Sequence, residues 1–285
     1  MRRHFLLLLL SILCALSFAR VDRLRRAEAP PSKLMLLPSR EMTRVVSFGS
    51  ELLAAQLIFY NSMFFVGSLE GPPTLATSHE LYHTLDTVTY LDPYNMDGYC
   101  FAQGMLSWRP SLLEPLNTLL LRGMDHRPWD WLLPFCYGFN QFYFLKKPRE
   151  AAVYFETAYR LNPSNEFLPT FIARLYYQAD ATQAAIEYLE EMVRATRSET
   201  LRQFALVRLR ALQAIALLEE GVKRYAKKYG KKPENIEALV AGGILKAIPP
   251  DPYGGEFYVD ATGKVKTTSN LVFSRKEPEK KGSGQ

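Results

Sequence analysis

Three short segments of the chain carry a proline at equal intervals. LDPYN runs from Leu91 to Asn95, HRPWD from His126 to Asp130, and LNPSN from Leu161 to Asn165. Their prolines are Pro93, Pro128 and Pro163, about 35 residues apart. Proline lacks the amide that a helix interior needs, so it ends one helix and starts the next. A fixed interval of this length holds two helices and their turns. One such pair cannot bury its own apolar face, so copies must stack.

The side chains between the prolines fit that unit. From Leu132 to Pro163 the first helix carries Phe135, Gly138 and Phe142, and the second carries Ala151, Phe155 and Ala158. Small residues let two helices approach, and a large aromatic fills the groove between them. This resembles the tetratricopeptide (TPR) repeat, whose period is close to the observed interval. The preceding copy has Cys100, Gly104, Leu116, Leu120, Gly123 and Pro128, with Leu116 larger than the usual alanine. The following copy has Leu168, Ala184 and Tyr188, and Thr196 in place of the final proline. The first copy ends with Leu81, Leu85, Val88 and Pro93. Its first helix is expected over about Glu41 to Val66, with the loop Gly71-Pro72-Pro73 between its two helices. The expected fold is therefore all-α: a TPR α-solenoid of about four helix pairs over residues 40–197.

The flanks differ from the repeats. Met1-Arg2-Arg3-His4 followed by the apolar run Phe5 to Ala19 has the layout of an export signal. Cleavage after Ala19 and retention as a membrane anchor both stay open, since the run is shorter than the ~20 residues of a full span. Either places the body outside the cytoplasm, in the periplasm or on the inner membrane facing it. Cys14 follows Leu13, which argues against a lipid anchor. Residues 20–39 read as a linker. Of the net charge of +6, much sits in Arg2, Arg3, Arg20, Arg23, Arg25 and Arg26 and in the tail lysines. That pattern flanks an apolar segment and does not form a basic face, so nucleic acid is not an expected partner. An oxidising compartment would permit a Cys100–Cys136 bridge; two buried thiols are the alternative.

After the repeats, Leu201, Phe204, Leu212, Ile215 and Val222 recur at helical spacing over residues 198–230. Thr196 and Glu199 suggest a capping box, and Gly230 a stop. This long helix is expected to cap the last repeat. Residues 231–273 read as a small α/β module: a short helix over Pro233 to Val240, turns at Pro249 to Gly255, and a hairpin of Phe257–Val259 with Lys264–Lys266. Residues 274–285 read as a disordered tail.

The whole layout resembles a group of bacterial cell-envelope TPR proteins. The resemblance rests on Leu37-Pro38-Ser39, on Tyr82-His83-Thr84-Leu85-Asp86 with Leu91-Asp92-Pro93, and on Pro249 to Gly255 with Gly263. It covers residues 37 to 269. Gln56 departs from it where an acidic residue is expected. The closing segment is also similar to the end of major pseudopilins, where a P-x-D-P-x-G turn precedes short strands. The resemblance implies a non-enzymatic adaptor or scaffold, accessory to pilus, secretion or export machinery. It implies inward-facing positions at Phe101, Met105, Trp108, Asn140, Tyr143 and Tyr176. Those residues are aromatic with few charges, so the expected partner is a protein offering an apolar or amphipathic helical segment.

One motif points elsewhere. His79-Glu80-Leu81-Tyr82-His83 matches H-E-x-x-H, which can set two imidazoles on a zinc ion. A zinc metallopeptidase is therefore the alternative function. Against it, Leu81 falls on the buried stripe of a repeat helix, and no motif for a third ligand follows. Asp251 and Asp260 are candidate calcium ligands beside plain turn roles. No phosphate loop, nucleophile elbow or CxxC occurs, so no cofactor is expected.

Overall fold

A computed structural model describes residues 37–165, 168–260 and 262–271, together with Leu13, Leu16, Ser17, Arg20 and Leu34. The signal or anchor reading of residues 1–19, most of the linker reading, and the tail reading lie outside the described residues. Within the described residues the chain is predominantly helical, with eleven α-helices and one two-stranded antiparallel sheet near the C-terminus. It divides into two compact units, Met1–Pro128 and Trp129–Gln285.

The first unit contains α1 (Arg40–Val46), α2 (Glu51–Gly67), α3 (Leu75–Leu91), α4 (Met96–Leu106) and α5 (Leu113–His126). A short 3-10 turn, Pro110–Leu112, leads into α5. Three of these starts, those of α1, α3 and α4, are capped by a side chain. The Ser39 hydroxyl accepts from the Met42 amide, the Thr74 hydroxyl from the Thr77 amide, and the Asn95 side-chain Oδ1 from the Gly98 amide. Consecutive helices from α2 to α5 pack on one another, and α3 also meets α1 and α5. Ala55, Phe59, Leu81, Leu85, Tyr99 and Leu116 are among the core residues. The Tyr99 hydroxyl donates to the Pro93 carbonyl at 3.1 Å, which satisfies the one polar group of a fully buried ring.

The expected single helix from Glu41 to Val66 is interrupted. Phe48 has φ 48° and Gly49 has φ 82°, so two successive residues are left-handed and a right-handed helix cannot continue through them. The Ser47 hydroxyl donates to the Thr43 carbonyl, and the Ser50 amide to the Ser47 carbonyl, which closes the turn. Two helices, α1 and α2, result.

The second unit begins with α6 (Leu132–Phe139), which runs into a π-helical turn over Asn140–Phe144. It continues with α7 (Pro148–Leu161), α8 (Leu168–Gln178), α9 (Thr182–Ala195) and α10 (Glu199–Tyr229). Successive helices again pack pairwise. Gly138 sits against α7: a Cβ there would lie 3.2 Å from both the Ala151 carbonyl oxygen and Phe155 Cδ1. Phe155 then contacts Phe135 and Phe171, with ring centroids at 5.3 and 5.6 Å.

The proline segments share one backbone arrangement. Asp92, Arg127 and Asn162 each precede the proline with ψ between 60° and 85°, away from the helical region. Each donates its amide to the carbonyl four residues earlier, closing the preceding helix. Asp92 and Asn162 also accept the amide two residues on, at 3.1 and 3.4 Å.

α10 starts at Ser198, whose hydroxyl accepts the Leu201 amide at 3.2 Å. The Thr196–Glu199 capping box is thus corrected: Thr196 accepts from Ser198 instead. Gly230, at φ 70°, ends the helix as expected. The helix expected over Pro233–Val240 is only one turn, α11 (Ala238–Ala241), preceded by the Asn235 side-chain Oδ1 accepting from the Ala238 amide. β1 (Phe257–Val259) pairs with β2 (Val265–Thr267), Val259 opposite Val265. Arg208 of α10 ties the module down, donating to Thr170 O, Leu271 O and the Tyr253 hydroxyl.

Candidate functional site

The residues expected to face a partner fall in both units. In the first, Phe101 and Met105 lie half-buried on α4, and Trp108 stands just beyond it, 64% exposed. Phe101 packs edge-on against Phe59 of α2 at 5.9 Å. Phe101 lies in the middle of α4, Met105 in its last turn and Trp108 beyond its end. In the second unit Tyr143 is 44% exposed and stacks on Phe139 at 5.3 Å. Asn140 and Tyr176, however, are buried. Both side chains lie in the packing between helices and not at the surface. The π turn starting at Asn140 shifts the helix register, and Tyr176 lies in the core against α9, 6.3 Å ring to ring from Tyr188.

The HELYH residues lie on α3. Leu81 is fully buried, whereas His79, Glu80 and His83 are exposed. Among the described residues no group of three or more His, Cys, Asp or Glu side chains is placed to hold a metal ion. The two turn aspartates are engaged. Asp251 accepts from the Tyr253 amide and from the hydroxyls of Thr267 and Ser269. Asp260 accepts from Thr262 and Lys264, bonds that hold its carboxyl below the usual range. Cys100 is exposed and Cys136 half-buried, and no disulfide joins them.

Two motifs separated in sequence meet in the first unit. Arg40, directly after Leu37-Pro38-Ser39, reaches Asp86 of the YHTLD segment at 3.0 Å. Arg122 of α5 reaches the same carboxylate at 2.7 Å, and also donates to Asp86 O and the Thr89 hydroxyl. Asp86 is thus a junction of α1, α3 and α5. Beside it opens a cavity of about 920 Å³ lined by Pro38, Arg40, Phe65, His83, Thr84 and Asp86, among others.

A second cavity, about 570 Å³, lies in the other unit among α7, α9 and the start of α10. Glu156, Tyr188, Glu191 and Arg197 line it. Burial raises the Glu156 carboxyl above its ordinary pKa, with Glu191 adding to the shift. A hydrogen bond with Tyr176 and the charge of Arg160 oppose it. The Tyr188 hydroxyl is buried with no hydrogen-bond partner. Sequence periodicity marks these positions only as helix surface, because two helices and a cap residue must converge to make the cleft.

The largest feature that sequence reading missed is outside these cavities. On α2 the inner residues Ala55, Ile58, Phe59 and Phe65 are buried, yet Leu53, Leu57, Tyr60 and Phe64 form a second, outward apolar stripe. The signal was present as an uncharged run from Leu52 to Gly67. A helix apolar all round has two faces to cover, and α3 covers one. Among the described residues no helix is long and apolar enough to cross a membrane. Compared with known proteins, the chain matches no family model, and no curated protein is similar to it.

Proposed function

We propose that the protein is a non-enzymatic interaction scaffold of the bacterial cell envelope, accessory to pilus, secretion or export machinery. It is built from about four TPR-type helix pairs, α2/α3, α4/α5, α6/α7 and α8/α9, followed by the long helix α10 as a cap. Its N-terminal apolar run holds it at the inner membrane facing the periplasm, or directs it there before cleavage.

The TPR reading is supported by the Gly138–Ala151 approach and by Phe155 between two neighbouring aromatics. The observation that carries the binding role is the exposure of Trp108 and Tyr143, large aromatics at the ends of pair-opening helices. Exposed aromatic side chains suit an apolar or amphipathic helical segment of a protein partner, and Lys146 over the Tyr143 ring and Arg109 beside Trp108 suit acidic residues on its polar face. Recovery of partners by Trp108→Ala and Tyr143→Ala variants tests this. Loss of a partner with an unchanged melting temperature is expected; full recovery by both variants would sink the reading.

A further inference from the structure

We propose that the α1–α2 turn and the outward side of α2 are a membrane-contacting surface and that Phe48 on the turn enters the acyl region of the bilayer. Phe48 is 91% exposed. Val45 and Val46 precede it and Leu52 and Leu53 follow it, all more than half exposed. Leu57 and Phe64 extend the same apolar surface along α2. Exposed apolar side chains grouped in this way, and not scattered singly, mark an interaction surface. The inner face of α2 already packs on α3, so the outward residues are not spare core.

The bilayer is the occupant that the chemistry of this turn and helix face selects. A projecting aromatic needs a fluid apolar phase or a matching pocket, and Phe48 sits on a turn rather than on the helix ridge that a partner helix would grip. The turn is prepared for desolvation. The Phe48 amide donates to Val45 O and the Ser50 amide to Ser47 O, so these two donors enter lipid already bonded. From Leu52 to Gly67 no side chain is charged. With 17 residues, α2 is about 25 Å long, short of the ~30 Å hydrocarbon core, so it lies in the surface and does not cross.

Tethering and charge agree. The apolar run Phe5–Ala19 ends some 20 residues before α1. Twenty residues reach about 70 Å at most, so a run held in the bilayer limits how far α1 can lie from the headgroups. Arg20, Arg23, Arg25 and Arg26 precede α1 in sequence and match anionic lipid, while on α1 and α2 Arg40 and Arg44 are balanced by Glu41 and Glu51. The inference rests on the proposal that the N-terminal run holds the protein at a membrane.

The test uses the full chain with p-benzoylphenylalanine in place of Phe48. It is mixed with phosphatidylcholine vesicles containing a minority of phosphatidylglycerol, floated, and irradiated. The expected result is flotation and an adduct heavier by one phospholipid, roughly tenfold more abundant than with the probe at exposed, polar Thr118. An adduct to residues 5–19 or to a second copy identifies a protein occupant and overturns the proposal. Flotation without a position-48 adduct overturns it while leaving the N-terminal attachment intact. A chain that does not float overturns both. Phe48→Ser serves as the folding control: its melting temperature is expected to be unchanged, because the wild-type ring touches little.

Discussion

Gly138 has no room for a side chain. Its missing Cβ would press on the Ala151 carbonyl and the Phe155 ring at 3.2 Å. Gly138→Val therefore overpacks the α6–α7 contact and is expected to cost about 1–3 kcal/mol, read as a lower denaturant midpoint. Asp86 gathers two arginines, and its side chain is only 13% exposed. Asp86→Ala strands Arg122 half-buried, with an expected cost of about 1–3 kcal/mol in the same assay. Glu156 acts in the opposite sense. Burial raises its folded pKa above the unfolded value, so the native state holds the proton more tightly. Its contribution is fully present below the unfolded pKa and is lost as pH rises through the folded pKa. Glu156→Gln is expected to melt higher than wild type at neutral pH, with the difference vanishing near pH 4 or below. The roles of Gly138, Ala151 and Phe155 were legible from residue size and spacing alone. The burial of Asn140 was not, because a π turn adds a residue that helical periodicity does not anticipate, and that of Tyr176 was not, because it depends on the neighbouring helix that brings Tyr188 against it.

At the scale of elements, the proline segments read correctly because their signal is local. The residue before each proline is forced out of the helical region by steric clash, whatever surrounds it. The C-terminal stop of α10 was legible for the same reason, since Gly230 adopts a left-handed conformation that suits glycine. The start of α10 was less so, as Thr196 and Ser198 are both good caps and only the chain path selects Ser198. The α1–α2 break was missed because Phe48 is not a usual left-handed residue. HELYH occupies α3 with Leu81 in the core and both histidines in solvent. Calorimetry on the full chain is expected to show no micromolar zinc site, and His83→Ala to give the same trace. A tight site abolished by that change would return the peptidase reading.

For the whole molecule, two compact helical units and a small sheet module carry aromatic side chains that remain exposed after folding. Helical class was legible because the repeat constrains it throughout. The clefts and the outward face of α2 were not, since each depends on which helices converge and which side remains uncovered. A scaffold that holds a protein segment makes one direct demand. With p-benzoylphenylalanine replacing Trp108 in the full chain inside cells, irradiation and mass spectrometry identify what touches that position. The predicted result is a cross-link to an apolar or amphipathic helical segment of another envelope protein, displaced by a peptide of that segment. Cross-links confined to the chain itself, or none at all, would contradict the scaffold role.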